Sequence, residues 1–442
     1  MLSGAIGAET IRNRSVASED SDNSFQGGPK GGPVLEPVYF ENMNFPVGRS
    51  EASVLPRITA KVELSAAATA TTSCAPSQAE TVYECCAPWS RRRRRAKIGA
   101  VAHTMNAVIS KEPYSVPMLL LTEQEIRDSV DMAGAIDAVE RAFEALGRDQ
   151  VTQPPPIGLD IPEVDAEIHV KGAHIHGAEH FAFKLVSGFY RNPKIGLPMA
   201  SGIVFAFDAN NGQPAGLLFD NGYLSDLRTG AAGAVVARYL APQEVRRVAV
   251  IGAGIQARMQ IRALAQVRDI PSVSIWNRHP ERAQECAAEM ADELDLAVEA
   301  VDRIEDAVQG ANVVITVTLA RDPLVRAEWI EPGTHITAVG SDGPDKQELD
   351  VKVLHRADLV VADRLAQCIE LGEIHHAVDA GRLRADECVE LGAIVVGDAP
   401  GRETGEQITV ADLTGVGAQD AAIASATLLA ASGKGFGTAI YS

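Results

Sequence analysis

The 442-residue sequence predicts an α/β protein, with a doubly wound parallel sheet of the Rossmann type and a second α/β unit in front of it. Three observations support this class. Short, nearly continuous apolar runs recur after Arg246, which is typical of parallel strands buried on both faces. A glycine-rich turn follows the first of these strands. A capped helix and a series of strands precede residue 244 and indicate a separate unit.

Length and composition limit the classes of function. The length suggests about three domain-sized units, and a formal net charge of -19 argues against nucleic acid as a partner. No apolar run approaches the ~18 residues of a membrane span. The six cysteines contain no Cys-x-x-Cys pair, so we expect reduced thiols and a cytoplasmic protein without membrane partners.

Residues 1–115 differ from the rest of the chain. They are rich in Ser, Ala, Gly, Pro and Thr, include SAAATATTSCAPS (65–77) and lack sustained periodicity. Such a segment cannot bury enough apolar surface to offset its ordering entropy. We expect a disordered extension, or an artefact of the gene model with Met105 as the true start; a targeting peptide is the alternative.

The elements before residue 244 follow from local patterns. Thr122 and Glu125 form a capping-box motif, and IRDSVDMAGAIDAVERAFEAL continues with helical apolar spacing. Strands are predicted at EIHVKGAHI, HFAFKLVSGF, GIVFAFDA and AGLLFDNG, the last two joined by a hairpin turn at 210–212. A helix rich in small residues, LSDLRTGAAGAVVARYL, follows.

The second half alternates strands with helices or loops. We predict the strands at RRVAVI, VSIWN, VVITVT, HITAVG, LVVAD and AIVVG, and a final amphipathic helix at QDAAIASATLLAAS.

The stretch RRVAVIGAGIQARMQIRAL predicts a dinucleotide site. Gly252, Gly254 and Ala257 have the G-x-G-x-x-A spacing between a strand and a helix. The first glycine permits the tight turn, the second lets the backbone approach a pyrophosphate, and the alanine lets helix and strand pack closely. The helix N-terminus then offers amides to the phosphates.

The end of the next strand bears on the choice of cofactor. Asn277 and Arg278 stand where an NAD enzyme usually has an acidic residue for the ribose hydroxyls. An arginine there suits a 2′-phosphate, so we expect NADP or NAD, with NADP favoured.

Several motifs in order carry a family resemblance: KLVSGFYRNP, GLPMASG, LSDLRTGAAGA, GAGIQA, AVGSDGPDKQEL and DLTGVG. They resemble the ornithine cyclodeaminase and mu-crystallin family over 116–442, most closely the branch of bacterial ectoine utilisation. The resemblance implies a substrate-binding and dimerisation domain at 116–243, completed by 400–442, and a Rossmann domain at 244–399. It also implies a homodimer.

Three residues are the main candidates for chemistry. Alternation in HFAFKLVSG places Lys184 on the face opposite Phe181 and Phe183, without a carboxylate on its own strand. A buried ammonium needs an anion, and the resemblance implies that a substrate carboxylate serves; a solvated lysine on an exposed face is the alternative. Arg228 offers a planar fork for a carboxylate; a structural ion pair with Asp226 is the alternative. Asp342 follows a strand end, where ligands of parallel sheets bind, and by resemblance it is the proton donor and acceptor.

The resemblance implies further contacts. They are Ile255 and Gln256 at the pyrophosphate, Thr318 on the nicotinamide side, Lys346 at the cofactor, and Leu413 and Thr414 closing the pocket. Lys171 stands at a substrate-site position where the cyclodeaminase has a glutamate, so we expect ornithine to be disfavoured. Met199 replaces a cofactor-contacting threonine.

The histidines His174, His176 and His180 lack a recognised ligand spacing, and we expect no metal. The dinucleotide motif together with the family resemblance implies an NAD(P)-dependent enzyme acting on a small amino acid or its imine, by imine reduction, dehydrogenation or cyclising deamination. The alternative is a non-catalytic, NADPH-dependent binding protein of the mu-crystallin type.

Overall fold

Two eight-stranded sheets organise residues 117–441, the part of the chain that the computed structural model describes. The extension expected at 1–115 lies outside these residues. With strands numbered in chain order, the first sheet contains β1 (Met118–Leu121), β2 (Val151–Thr152), β3 (Ile157–Ile161), β4 (Ala166–Ile175), β5 (His180–Phe189), β6 (Ala200–Asp208), β7 (Pro214–Leu218) and β16 (Thr438–Ile440). The second contains β8 (Val248–Ile251), β9 (Ser272–Trp276), β10 (Ala297–Val301), β11 (Val313–Thr316), β12 (His335–Ala338), β13 (Leu359–Ala362), β14 (Val389–Glu390) and β15 (Thr409–Asp412).

The helices pack against these two sheets. They are α1 (Glu123–Ser129), α2 (Met132–Gly147), α3 (Tyr223–Leu240), α4 (Ile255–Ala265), α5 (Pro280–Leu294), α6 (Ile304–Val308), α7 (Val351–Arg356), α8 (Leu365–Cys368), α9 (Glu373–Asp379), α10 (Leu391–Val395) and α11 (Gly417–Lys434). None of the helices in the described range is both long and apolar enough to cross a bilayer.

The first helical stretch is broken in two. The capping box of Thr122 and Glu125 is present at the start of α1. The apolar spacing suggested continuous helix, but Val130 is extended, and the Asp131 side chain caps α2 by accepting from the Gly134 amide at 2.8 Å. An aspartate that caps a helix competes with helix continuation, and here the cap prevails.

The first sheet has the order β16-β1-β7-β6-β5-β4-β2, with β3 also paired to β4. The β6–β7 hairpin turns at 210–212 as predicted, and Gly212 has the positive φ of 74° that this turn needs. Helix α11 packs on β4, β5 and β6. The opposite face exposes apolar side chains, among them Leu185 and Phe205.

The second sheet is parallel throughout, in the order β10-β9-β8-β11-β12-β15-β13-β14. Alternate residues of β8 enter different cores: Ala249 and Ile251 lie in one apolar cluster, and Val248 and Val250 in another. Its strands are therefore buried on both faces, and the predicted doubly wound α/β class is confirmed.

Two details differ from the sequence analysis. AIVVG (393–397) was expected as a strand, but the chain there belongs to α10, with Leu391 and Ile394 buried one helical turn apart. A short apolar run fits a buried helix as well as a strand, and packing decides between them. Residues 400–442 were expected to complete the first domain, but Thr409–Asp412 forms β15 in the second sheet, and the chain returns to the first sheet with α11.

Candidate active site

Lys184 supplies a buried ammonium at the centre of the first sheet. Its side chain is 4% exposed. Its Nζ donates to Asp420 Oδ1 at 2.9 Å and to Ser225 Oγ at 2.8 Å. Burial lowers the pKa of Lys184 to about 8, against the opposing effect of the Asp420 carboxylate. The anion that strand β5 lacks is thus supplied by helix α11.

Arg228 reaches the same carboxylate from helix α3. Its Nε donates to Asp420 Oδ1 at 3.1 Å, and a second guanidinium nitrogen donates to Gln419 Oε1 at 3.0 Å. The ion pair considered with Asp226 is replaced by this one, because Asp226 instead accepts from the Gln256 amide at 2.9 Å. Arg228 is therefore held in the cluster around Asp420.

Lys171 adds a third positive charge. It lies directly opposite Lys184 in the β4–β5 register, and its Nζ donates to the carbonyls of Thr414 and Gly415 at 3.1 and 2.9 Å. Two like charges facing each other across strands are unfavourable unless anions lie nearby. Burial lowers the pKa of Lys171, and the Arg228 charge lowers it further.

The cluster of Lys171, Lys184, Arg228 and Asp420 thus has three cations and one buried carboxylate, an excess of two positive charges within these four residues when all are ionised. The carboxylates of Asp342 and Asp363 also act on Lys171. Burial disfavours the charged form of Asp420, but Lys184 and Arg228 hold its pKa below the usual value. Such a cluster suits a small anionic ligand, which would balance the excess charge.

Asp342 lies in the loop after β12. Its side chain is 51% exposed, and its Oδ1 is 2.6 Å from the Nζ of Lys346, which is 18% exposed. The loop closes on itself through the hydroxyl of Ser341, which donates to the Lys346 carbonyl. Asp342 is therefore an accessible carboxylate whose orientation is fixed by a cation four residues on.

The turn between β8 and α4 has the shape that a dinucleotide needs. Gly252 has a φ of 125°, and a Cβ on it would lie 2.8 Å from Val317. A Cβ on Gly254 would meet no atom within 4 Å, so that backbone is open to a ligand, while Ala257 is fully buried. Because this is the start of an eleven-residue helix, its free amides face the same open space. These residues fit a pyrophosphate.

The next four predicted cofactor contacts lie beside the glycine turn and after β9. Ile255 is exposed beside the glycine turn, whereas the Gln256 side chain is used in holding Asp226. Asn277 accepts from the His279 amide at 2.9 Å, and Arg278 is exposed at the end of β9.

The remaining predicted contacts differ in exposure. Thr318 follows β11; Leu413 and Thr414 are buried after β15; Met199 is exposed. The Thr414 hydroxyl donates to Asp363 at 3.0 Å, which leaves its carbonyl for Lys171.

Asp420 is the member of this site that sequence reasoning missed. One signal could have indicated it: in the stretch 417–433 it is the only charged residue. A single acid in a helix of small apolar residues needs a buried cation. Within residues 117–441, no group of three or more His, Cys, Asp or Glu side chains could hold a metal ion.

Comparisons with known proteins agree with one another. The model of the ornithine cyclodeaminase/mu-crystallin family matches residues 116–433. A putative dehydrogenase of Rhizobium meliloti is 44% identical over 327 residues, covering 74% of this chain and 99% of that protein.

Three solved structures are similar over 73% of this chain. An archaeal alanine dehydrogenase dimer with bound NAD has a TM-score of 0.69 and 33% identity over 99% of its length. The pyrroline-2-carboxylate reductase of Thermococcus litoralis, in complex with NADH and L-proline, has a TM-score of 0.70 and 30% identity, and 100% of its chain is covered. The iminosuccinate reductase of Paracoccus denitrificans, in complex with NAD+, has a TM-score of 0.69 and 36% identity, and 99% of its chain is covered.

Proposed function

Because this chain belongs to the ornithine cyclodeaminase/mu-crystallin family, we propose that it is a nicotinamide-dinucleotide-dependent enzyme acting on a small α-amino acid or the corresponding imine. The observation that carries the proposal is the cluster of Lys171, Lys184, Arg228 and Asp420, a buried site with excess positive charge. It occurs in the same chain as an open glycine turn fit for a pyrophosphate. Solved relatives of this family hold NAD or NADH.

In imine reduction, the residues of the site have separate roles in binding the substrate and in proton transfer. Lys184 and Arg228 bind the substrate carboxylate, and the planar fork of Arg228 fixes its orientation. Asp342, whose side chain is half exposed, takes up a proton from solvent and passes it to the imine nitrogen, and the ion pair with Lys346 orients the carboxylate before the proton arrives. When bound, the nicotinamide supplies the hydride that reaches the substrate α-carbon. One hydride and one proton convert the imine into the amine, and the reverse direction is amino-acid dehydrogenation.

Reduction is favoured over cyclising deamination of ornithine. Ornithine carries a second ammonium, and Lys171 places another ammonium on the face of the sheet that holds Lys184. Like charges at close range repel strongly when they are buried.

Lys171 also favours a substrate with a second carboxylate. Asp420 and one substrate carboxylate together balance two of the three positive charges of the cluster, and one positive charge remains beside Lys171. The iminosuccinate reductase of Paracoccus denitrificans, 36% identical, is named for a substrate of this type. A dicarboxylic imine is therefore our second candidate substrate, beside a monocarboxylic one.

For the cofactor we propose NADP(H) as the preferred form. Arg278 is exposed at the end of β9, where the ribose of a Rossmann-bound dinucleotide lies. The solved relatives hold NAD or NADH, so a direct comparison of the two cofactors is needed.

We further propose that the chain forms a homodimer in the cytoplasm. The face of the first sheet opposite α11 exposes apolar side chains, including Leu185, Phe205 and Ile157, and Phe181 stacks on Phe207 there at 5.1 Å. A broad exposed apolar face of this kind usually contacts a partner. The archaeal alanine dehydrogenase is a dimer. A role in ectoine utilisation remains a prediction.

A substrate screen tests the function. The purified protein would be incubated with NADPH or NADH and with pyruvate plus ammonium, oxaloacetate plus ammonium, or pyrroline-2-carboxylate, and oxidation of the cofactor would be followed by its absorbance. We expect cofactor oxidation with at least one imine, and formation of the matching amino acid. Cofactor binding without turnover on any substrate would instead support the non-catalytic binding protein.

A further inference from the structure

Glu348 is a buried carboxylate that the mechanism above does not use. Its side chain is fully buried. Its Oε1 accepts from the Thr318 amide at 2.5 Å, and its Oε2 accepts from the Gly340 amide at 2.9 Å. One side chain thus binds two backbone segments with both of its oxygens.

The two bound segments continue from neighbouring strands. β11 and β12 are paired in parallel up to Thr316 and Ala338. Thr318 and Gly340 each lie two residues beyond these ends, where the ladder has stopped. The carboxylate of Glu348 therefore links the segments beyond the last strand pair, at the edge of the sheet where ligands bind.

The contact leaves no space for adjustment at Gly340. A Cβ on this residue would collide with the carbonyl of Thr318 and would lie 2.6 Å from Glu348 Oε2. Only a glycine lets the two segments approach so closely. The separation of the segments is therefore fixed by direct packing as well as by the hydrogen bonds.

Glu348 is itself held at its backbone. Its amide donates to Glu373 Oε1 at 2.6 Å, and the next amide, of Leu349, donates to Glu373 Oε2 at 3.1 Å. Its carbonyl accepts from the amides of Leu324 and Val325 at 2.8 and 3.0 Å. A side chain anchored in this way can act as a rigid spacer.

We propose that Glu348 is a positioning residue that fixes the segment of Thr318 relative to the loop carrying Asp342. This inference rests on the proposed function, in which Asp342 moves the proton, and on the position of Thr318 on the nicotinamide side that the family resemblance implies. The hydride donor and the proton group act on adjacent substrate atoms, the α-carbon and its nitrogen. Their relative placement decides how often the reacting geometry is reached.

Burial and hydrogen bonding have opposite effects on the ionisation of Glu348. Burial raises its pKa to about 7, while hydrogen bonds from Thr318 and Gly340 favour the ionised form. A carboxylate can accept from both amides, whereas a glutamine offers one acceptor oxygen and turns an NH₂ group towards the other amide. The change Glu348→Gln therefore breaks one side of the link with little change of shape.

The test compares three variants with the parent enzyme. Glu348→Gln should lose at least ~10-fold in kcat, since a misplacement of about 1 Å can cost ~10²-fold in rate. Its KM and cofactor Kd should stay close to parental values, and its melting temperature should fall by only a few degrees, because one buried amide loses its acceptor. Glu348→Asp keeps both acceptor oxygens on a shorter side chain, so its kcat should lie between that of Glu348→Gln and that of the parent. Glu328→Gln, on an exposed carboxylate, is the matched control and should be unchanged.

A kinetic isotope effect separates positioning from general damage. With cofactor deuterated at the transferred position, the isotope effect on kcat should rise in Glu348→Gln, because hydride transfer becomes slower than product release. A parental kcat, or a loss of kcat in proportion to unfolded protein with an unchanged isotope effect, would overturn the inference. If Glu348→Gln does not fold, the same two readouts on Glu348→Asp decide. A parent protein without turnover would refute the proposed function instead.

Discussion

Lys184 and Asp420 lie 236 positions apart in the sequence, and their side chains form a buried ion pair of 2.9 Å. This pair links β5 of the first sheet to α11, the last helix of the described residues. It explains how a strand that carries no acid can bury an ammonium. It also predicts that Asp420 is needed for stability as well as for the site.

Replacing Asp420 by Asn should destabilise the protein. The change leaves the charges of Lys184 and Arg228 buried without an anion, and breaking a buried pair in this way typically costs about 3–5 kcal/mol. Lys184 can lose its proton, which limits the cost, but Arg228 cannot. Denaturant unfolding of the variant measures the difference.

Asp292→Asn, on the exposed side of α5, is the control and should change the free energy of unfolding by less than about 0.5 kcal/mol. A double variant, Asp420→Asn with Lys184→Met, should recover part of the loss. Parental stability of Asp420→Asn would show that the pair contributes little.

Substrate binding should weaken as the pH rises through about 8. The pKa of Lys184 is lowered to about 8, mainly by burial, so its ammonium is complete below that pH and is lost above it. Asp420, Arg228 and Lys171 surround it, and of these Asp420 and Arg228 stay charged throughout. A substrate carboxylate should therefore bind with constant affinity at pH 6.5–7 and more weakly at pH 9.

The measurement is the KM for the imine between pH 6.5 and 9.5. Lys184→Arg should bind less well because its geometry differs, but its KM should lose the rise near pH 8. A rise that persists unchanged in this variant would assign the titration to another group.

The sequence predicts those parts of the site that depend on residue patterns within one strand, one turn or one helix. The turn at Gly252 and Gly254 depends on a strand, a short spacing and a helix, all within 20 residues, and each is where the sequence places it. Alternation along β5 likewise placed Lys184 on the face opposite the phenylalanines. These inferences need only the geometry of one element.

Contacts between distant segments could not be obtained in this way. Asp420 reaches Lys184 only because α11 returns to the first sheet after β15 has joined the second. The prediction of a strand at AIVVG was wrong for a related reason. Its apolar residues fit either a strand or a buried helix, and only the packing around them decides between the two.

NADPH should bind more tightly than NADH, and Arg278→Ala should narrow the difference by about 1–3 kcal/mol, as expected for a charge-assisted hydrogen bond. Titration of both cofactors by fluorescence gives the two affinities. Arg282→Ala, in the first turn of α5 and also exposed, is the matched control. Equal affinities in the parent would defeat the assignment to Arg278.

Ornithine should be a poor substrate, at least ~10²-fold below the best imine in kcat/KM, because like charges in close contact cost several kcal/mol. Lys171→Met should narrow that gap, and should lower the activity on oxaloacetate plus ammonium more than that on pyruvate plus ammonium. Efficient conversion of ornithine to proline by the parent would show that Lys171 does not face the substrate.

The last prediction concerns Asp342, which is either a turn residue or the group that moves the proton. Asn makes the same side-chain contacts in turns and tolerates the same dihedral angles, so a mere turn residue could be replaced without loss. Asn cannot exchange a proton, however, and positioned proton transfer accelerates reactions by about 10²–10⁴-fold. Asp342→Asn should therefore fold, melt within a few degrees of the parent and bind the cofactor, yet lose at least ~10²-fold in turnover.

A matched control is available in the same loop. Asp345 is exposed three residues further on, whereas Asp342 forms the ion pair with Lys346. Asp345→Asn should keep parental turnover, so a loss confined to Asp342→Asn cannot come from the charge of the loop as a whole. Because half of the Asp342 side chain is exposed, its loss should cost little stability, and turnover on a confirmed substrate is the decisive measurement. Near-parental turnover of Asp342→Asn would leave this aspartate with a role in the turn alone.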